Sequence, residues 1–217
     1  MFTGSLTWND LLFMLQGAGV TLAITFWSVL GGTLLGVALG LARAAAPAWL
    51  NAPLGALLDV PRSVPLLIQF VLANSFKAII GLQASSFAVA CAVLAVYTAC
   101  YCAEIVRGGV LAVPVTTRRA ARSLGMTYWQ DLGSVTAPLA LRVALPSWTG
   151  LALGIMKDTS LVLWIGIIEL LRASQIIVTR LQEPLLVLSI TGAIYFLMSF
   201  PIARLGARLE ARWREHD

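Results

Sequence analysis

Charged residues are scarce in this sequence: they make up 12% of its 217 positions. A soluble domain carries about twice that share. Hydrophobic residues reach 59%, and a surface that apolar would associate rather than stay dissolved in water. The composition therefore excludes an ordinary soluble globule and predicts an integral membrane protein.

The residues most often used for enzyme chemistry are scarce as well. His216 is the only histidine, and Cys91, Cys100 and Cys102 form no C-x-x-C pair. We interpret the cysteines as small buried hydrophobic side chains, and we expect neither a metal site nor a histidine-based catalytic site. The sequence also has no G-x-x-x-x-G-K-[ST] phosphate loop, so energy from ATP would have to come from another chain.

Long apolar runs are what the sequence has in abundance. A helix needs about 20 apolar residues to cross the hydrocarbon of a bilayer, and Leu11–Ala42, Ala78–Ala103 and Pro184–Ala203 reach that length without a charge. Two further runs, Ser63–Phe76 and Val143–Ile168, adjoin or contain charges. We predict an all-α integral membrane protein with five transmembrane helices, the first of them a retained helix rather than a cleaved signal.

Basic residues predict the orientation of these helices. If the N-terminus is outside, ten arginines lie on inside segments and only three basic residues lie outside. We therefore expect an N-out, C-in topology with the basic C-terminal segment against anionic lipid. The inside set is Arg43, Arg107, Arg118, Arg119, Arg122, Arg142, Arg204, Arg208, Arg212 and Arg214, and the outside set is Lys77, Arg172 and Arg180.

Small residues recur on one face of the first predicted helix. Gly32, Gly36 and Gly40 are four residues apart, a spacing that lets two helix backbones approach closely in lipid. We interpret them as a packing surface.

Several ionisable residues fall within or beside the apolar runs, where a charge costs several kcal/mol and usually faces the protein interior or a water-filled path. These are Arg62, Glu104, Lys157, Asp158 and Glu169. In "MKDTSL", Lys157, Asp158, Thr159 and Ser160 are four consecutive polar residues. We expect them to lie on a locally irregular helix that lines a cavity. A purely structural polar network is the alternative.

The stretch "PRSVPLLIQF" is similar in character. Pro61 and Pro65 bracket Arg62 and Ser63, and Gln69 follows one turn beyond Pro65. Together these residues could offer hydrogen-bond donors to an anionic group such as a carboxylate. The alternative for Arg62 is a side chain that extends from a helix end to the membrane surface.

Glu104 also allows two interpretations. It could line the pathway, or it could pair with Arg107, three residues further along the same helix.

A basic amphipathic stretch, "RRAARSLGMTYWQDL", interrupts the apolar chain at residues 118–132. On a helical wheel its apolar residues gather on one side and its arginines elsewhere, and Gly125 would permit a bend between two short helices. The stretch is either an amphipathic helix on the membrane surface or a docking element for a soluble partner. Periodicity alone does not separate these two possibilities.

Three segments resemble the permease subunits of ABC importers, and in particular the polar amino acid (histidine/glutamine-type) permeases. "YCAEIVRGGVLAVPVTTRRAARSLGMTYWQDLGSVTAPLALRVALP" resembles the signature region of that family, while "PRSVPLLIQF" and "MKDTSLVLWIGIIEL" resemble two further motifs. They occur in the family's order and spacing. The matching positions in the signature region are Ala103, Glu104, Arg107, Gly108, Gly109, Val113, Pro114, Ala120, Ala121, Leu124, Gly125, Pro138, Ala140, Arg142 and Pro146.

The resemblance implies a type I ABC importer (MetI-like) permease fold, with residues 1–217 as one transmembrane domain. It also implies that residues 108–140, between the third and fourth helices, hold a coupling loop that seats in a cytoplasmic ATPase. The predicted coupling residues are Arg118, Arg119, Ala120, Ala121, Leu124, Gly125 and Met126. The predicted substrate-pathway residues are Arg62, Ser63, Gln69, Glu104, Lys157, Asp158, Thr159 and Ser160.

The resemblance further implies a set of partners in a bacterial inner membrane. They are a dimer of ATPases that binds ATP and Mg, a second permease of like or unlike sequence, and a periplasmic or lipid-anchored binding protein that delivers a polar amino acid. Membrane lipids complete the set, and we expect no nucleic acid and no cofactor in this chain.

The sequence departs from the family pattern at a few positions. Arg119 stands where the family has a glutamate, Thr116 and Thr117 replace a Gly-Gln pair, and Gly150 replaces an asparagine.

Two other functional classes stay open on the residues alone. One is an ion-gradient-driven transporter or channel in which Lys157 and Asp158 relay protons. The other is a membrane scaffold whose basic loop recruits proteins or lipids without transporting anything.

Overall fold

Nine α-helices follow one another in residues 5–214, the part of the chain that the computed structural model describes, and no strand occurs among these residues. A π-helical turn at Leu132–Thr136 and a 3-10 helix at Thr159–Ile165 connect some of them. The helices are α1 Trp8–Ala45, α2 Ala48–Ser63, α3 Leu66–Ile79, α4 Ser86–Ala112, α5 Val115–Ser123, α6 Tyr128–Asp131, α7 Ala137–Asp158, α8 Leu170–Leu181 and α9 Pro184–Arg214. The all-α prediction is confirmed.

Four helical segments of the described chain are each long and apolar enough to cross a bilayer: α1, α4, the continuous segment Tyr128–Ile165, and α9. Helices α2 and α3 pass the same test only as a pair, whose axes differ by 94° at the break between them, and they make a fifth crossing if the pair counts as one span. The five predicted helices thus correspond to four helical segments and one bent pair.

The predicted start of the third span, Ala78, is wrong. Helix α3 continues to Ile79, the chain turns at Gly81 with a φ of 68°, and α4 begins only at Ser86. Ser85 caps α4, its hydroxyl oxygen accepting a hydrogen bond from the Ala88 N–H at 3.1 Å. The apolar run misses this boundary because the turn, residues 80–85, contains no charged residue.

The two charge-interrupted spans also differ from their predicted bounds. The run Ser63–Phe76 corresponds to α3, and α2 before it, which contains Pro53 and Pro61, was not predicted. The span predicted as Val143–Ile168 is helical from Tyr128 and ends at Ile165. Helix α8, which packs on α1, was not predicted either.

Helix α1 packs along α4 through the glycine surface predicted from the sequence, and the packing prediction is confirmed. A Cβ atom added at Gly36 would lie 2.5 Å from the Cβ of Cys102, and one added at Gly40 would lie 2.6 Å from the Ala103 carbonyl oxygen. Such distances leave no room for a side chain, so the glycines set how closely the two helices approach. Helix α4 then packs on α7, and α7 on α9.

Candidate functional site

The basic stretch folds into a rigid helix–turn–helix between two spans. Helix α5 ends before Leu124, and Gly125 adopts a φ of 86°, a conformation that L side chains rarely take. Thr127 then caps α6: its hydroxyl accepts from the Gln130 N–H at 3.4 Å, and its own N–H donates to the Gln130 side chain at 2.8 Å. The bend predicted at Gly125 is present. We call residues 115–131 the basic turn.

A buried carboxylate, that of Asp131, holds the basic turn in place. Asp131 is 1% exposed, and its oxygens lie 3.9 Å from Arg118 Nε and 3.6 Å from Arg122 Nε. The Thr136 hydroxyl donates to Asp131 at 3.0 Å. Sequence reasoning missed Asp131, although it is the only acidic residue between Glu104 and Asp158 and follows three arginines.

Much of the exposed surface of the basic turn is apolar. Leu124 is 82% exposed, Trp129 76% and Val115 60%, which is far more apolar exposure than a solvated loop needs. Arg119 is exposed, lines the same depression as Val115, and has no ion pair within the described residues. Of the other predicted coupling residues, Ala120 and Gly125 are exposed, Arg118 and Met126 half-buried, and Ala121 buried.

The polar residues of "MKDTSL" lie where the fourth span becomes irregular. Helix α7 ends at Asp158, and the next seven residues form the 3-10 helix, as the predicted irregularity requires. Lys157 is exposed, while Asp158 and Ser160 are half-buried. Thr159 is buried and donates its hydroxyl hydrogen to the Met156 carbonyl at 2.7 Å, so this hydroxyl is used within its own helix.

The fold brings Arg62 to a pair of tyrosines on α4, the helix on which α7 packs with Asp158 at its end. The Arg62 guanidinium pairs with Asp59 at 2.8 Å and lies 5.0 Å from the centre of the Tyr101 ring. The Tyr97 hydroxyl is 3.4 Å from that of Tyr101, and Asp158 is half-buried at the end of α7, the helix that packs on α4. We call Arg62, Tyr97, Tyr101 and Asp158 the tyrosine cluster.

Sequence reasoning missed the two tyrosines of this cluster. Their signal was present: tyrosines four residues apart share a helix face, on a span whose neighbouring residues are small or aliphatic.

Gln69 has a different environment from the one its sequence position suggested. Its Nε2 donates to the Pro61 carbonyl at 2.7 Å and to the Val64 carbonyl at 2.8 Å. Both amide hydrogens therefore bridge the bend between α2 and α3, satisfying carbonyls at the end of α2. Ser63 is exposed at the last residue of α2.

Glu104 lies between two arginines. Arg107 Nε donates to it at 3.1 Å, as the pairing interpretation predicted, and Arg43 of α1 donates from the other side. Arg43 is 7% exposed and also donates to Asn51 at 3.0 Å. The sequence did not indicate Arg43 because its partner is 61 positions away.

Glu169 is a buried carboxylate that joins three helices. It caps α8 by accepting from the Leu171 and Arg172 N–H groups at 2.8 and 2.7 Å. It also accepts from the Tyr195 hydroxyl of α9 at 3.2 Å and lies 3.5 Å from the Thr21 hydroxyl of α1. Fully buried and supplied with donors, Glu169 fixes α8 to the bundle.

Within residues 5–214, no group of three or more His, Cys, Asp or Glu side chains is arranged to hold a metal ion. The three cysteines are free thiols: Cys100 and Cys102 are buried and Cys91 is half-buried.

Curated relatives cover almost the whole chain. The octopine transport system permease protein OccM of Rhizobium meliloti is 31% identical, over 96% of this chain and 89% of its own length. The glutamine transport system permease protein GlnP of Escherichia coli is 30% identical, over 98% of both chains. The probable amino-acid ABC transporter permease protein YckA of Bacillus subtilis is 32% identical, over 90% of this chain and 87% of its own.

Solved structures have the same fold. A crystal structure of an amino acid ABC transporter with histidines superposes with a TM-score of 0.83 at 28% identity, covering 96% of this chain and 100% of that one. The inward-facing MetNI methionine ABC transporter gives the same TM-score at 22% identity, over 95% and 99% of the two chains. The type I ABC importer permease fold is therefore confirmed.

A family profile completes the comparison. The profile described as "Binding-protein-dependent transport system inner membrane component" matches residues 32–215, a range that contains both the basic turn and the tyrosine cluster. ATP hydrolysis in such systems belongs to a partner subunit. The chain therefore belongs to the family of inner-membrane components of binding-protein-dependent transport systems, as a multi-pass permease subunit of an ATP-driven ABC importer.

Proposed function

We propose that this chain carries a polar amino acid across the inner membrane, with the tyrosine cluster as its transient binding site. Relatives named for glutamine, octopine and amino-acid transport support an amino acid as cargo. The observation that carries the proposal is the Arg62 guanidinium over the Tyr101 ring, with its Nε buried and without a hydrogen-bond partner in the described residues.

The cluster offers complementary groups to a zwitterion. The guanidinium of Arg62 suits the α-carboxylate of an amino acid, and its Nε is buried without a hydrogen-bond partner in the described residues. The Asp158 carboxylate suits the ammonium group. Because Arg62 also contacts Asp59, it has to exchange one carboxylate for another, which keeps binding weak enough for release.

The basic turn would act as the lever that couples transport to ATP. Its exposed apolar residues seat in a groove of the ATPase, and its anchor at Asp131 transmits movement to the segment Tyr128–Ile165, which ends beside the tyrosine cluster. Closure of the ATPases would turn the cavity outward and their opening would return it inward. ATP and Mg bind to the ATPases, and this chain needs no cofactor.

The working assembly would contain two permeases, of like or unlike sequence, two ATPases and a periplasmic or lipid-anchored binding protein. We expect the chain to lie N-out and C-in. The arginines of α9, including Arg204 and Arg208, then face anionic lipid at the inner surface.

A transport assay with an isosteric variant tests the cargo site. The complete complex is reconstituted in vesicles with its binding protein, and uptake of labelled polar amino acids is measured together with ATP hydrolysis. Asp158→Asn removes one charge, and we expect about a tenfold loss of uptake, corresponding to about 1.4 kcal/mol, with normal assembly. Glu183→Gln removes a charge from the exposed connection between α8 and α9 and should transport normally. Full uptake by Asp158→Asn would contradict the proposal.

A further inference from the structure

The basic turn carries more positive than negative charge, and one of its arginines has no carboxylate beside it. Among residues 108–136 there are three arginines and one carboxylate, so three positive charges less one negative leave a net charge of +2. Asp131 lies beneath Arg118 and Arg122, at 3.9 and 3.6 Å. Arg119 is left exposed, with no ion pair in the described residues.

The three arginines line a single open depression. Val115 and Ser123 complete its wall, and Arg118 and Arg122 are held in place by the buried carboxylate below them. The Ser123 hydroxyl donates to the Arg119 carbonyl at 3.0 Å, so the backbone that carries Arg119 is fixed as well. The depression is therefore an open, basic site on a helix, with the exposed Arg119 on its wall.

From this geometry we infer that the ATPase partner inserts an acidic side chain into the depression and pairs it with Arg119. The inference rests on the proposed coupling role of the basic turn and adds the chemistry of the partner's groove. Charge complementarity selects partners, because like charges brought together at an interface cost several kcal/mol. We therefore expect that an ATPase whose groove is basic where it faces Arg119 does not bind this chain.

The rigidity of the turn favours a protein partner over anionic lipid. Lipid headgroups attract basic segments through clustered, freely moving charges, each worth about 1 kcal/mol. Here Arg118 and Arg122 share the carboxylate of Asp131, and Arg119, which lines the same depression as the exposed Val115, suits one opposing carboxylate at the rim of an apolar contact.

Binding of the purified ATPase of the same transport system to the permease in detergent tests this inference. Arg119→Glu should raise the dissociation constant about tenfold at low salt, and the difference should shrink at high salt because an exposed pair is screened. Arg119→Lys should bind nearly as well as the unaltered chain. Arg172→Glu is the matched control: it reverses an exposed arginine on α8 and should leave binding unchanged.

Charge reversal in the partner completes the test. Exchanging one carboxylate of the ATPase groove for lysine should restore binding to Arg119→Glu while weakening binding to the unaltered chain. Equal dissociation constants for Arg119→Glu and the unaltered chain would overturn the inference. A loss of ATPase binding by Arg119→Glu that is seen only in vesicles of anionic lipid would overturn it too. If the ATPase does not bind the unaltered chain at all, the coupling role itself fails, and this inference with it.

Discussion

At the scale of single residues, the few charges of this chain are used in contacts rather than left in lipid. Glu104 lies between Arg43 and Arg107, and Asp10 at the start of α1 pairs with Arg180 at the end of α8. An unpaired charge within a span is costly. The Arg43–Glu104 and Asp10–Arg180 pairs also join segments that are distant in sequence. The glycines of α1 contribute differently: because they have no side chain, α1 can pack closely against α4.

A valine at Gly36 tests the glycine contact. Its Cβ would lie 2.5 Å from that of Cys102, so α1 and α4 must separate, and we expect the free energy of unfolding to fall by about 1–3 kcal/mol. The measurement is the midpoint of thermal denaturation in detergent. Gly19→Val on the same helix is the control, because a Cβ there meets nothing within 4 Å. Equal midpoints for the two variants would show that the close approach is unimportant for stability.

At the scale of elements, the connection between α5 and the following span behaves as one rigid unit. A glycine turn, a capping box and a buried carboxylate act within fewer than twenty residues. A flexible loop would absorb movement of the ATPase instead of passing it on. The rigidity of the basic turn thus follows from local contacts that the structure supplies, with Asp131 at their centre.

Replacing Asp131 by asparagine should loosen this element without unfolding the bundle. The variant keeps the shape of the side chain but loses its charge contacts to Arg118 and Arg122. In these contacts the carboxylate is buried and only the arginines are partly exposed. We expect local opening to become easier by about 1–3 kcal/mol and cleavage by trypsin within 115–131 to become at least about fivefold faster.

The rate of trypsin cleavage, followed by mass spectrometry, checks this expectation. Arg119→Gln serves as a control for the charge of the turn, because Arg119 makes no ion pair in the described residues, although it removes one possible cleavage site. If Asp131→Asn resists trypsin as well as the unaltered chain does, the anchor is not what holds the turn.

At the scale of the whole molecule, the apolar outer surface is explained by its contact with the membrane. Large hydrophobic side chains such as Leu34, Leu185 and Leu197 are about two-thirds exposed or more, and α9 is the least buried of the candidate spans. Lipid tails, or a second permease, cover such surfaces.

Reporter fusions test the orientation. We expect a reporter placed after Asp217 to show cytoplasmic activity and one inserted at Gly81, between α3 and α4, to show extracytoplasmic activity. The two sites lie on opposite sides if the bent pair α2–α3 crosses the membrane. A C-terminal reporter active only outside would reverse the topology, and equal behaviour at both sites would mean that the number of crossings is wrong.

Much of the architecture was readable from the residues. Apolar runs of spanning length predicted the four main helices, and the spacing of Gly32, Gly36 and Gly40 predicted which face of α1 packs closely. Boundaries were less readable, because Gly81 and Ser85 lie inside an apolar run that hydropathy treats as continuous. The second crossing was readable only in part, since its bend and the helix α2 depend on contacts made by Gln69.

The sequence by itself determined that this chain is an integral membrane protein, that it has no phosphate loop of its own, and that it contains a basic turn bent at Gly125. These properties follow from composition and local chemistry, which every residue carries with it. Only the tertiary structure decided which partners the charged groups meet: Arg43 meets Glu104, and Arg62 meets the ring of Tyr101. Partners tens of residues apart are selected by how the helices pack, and no local pattern in the sequence encodes that choice.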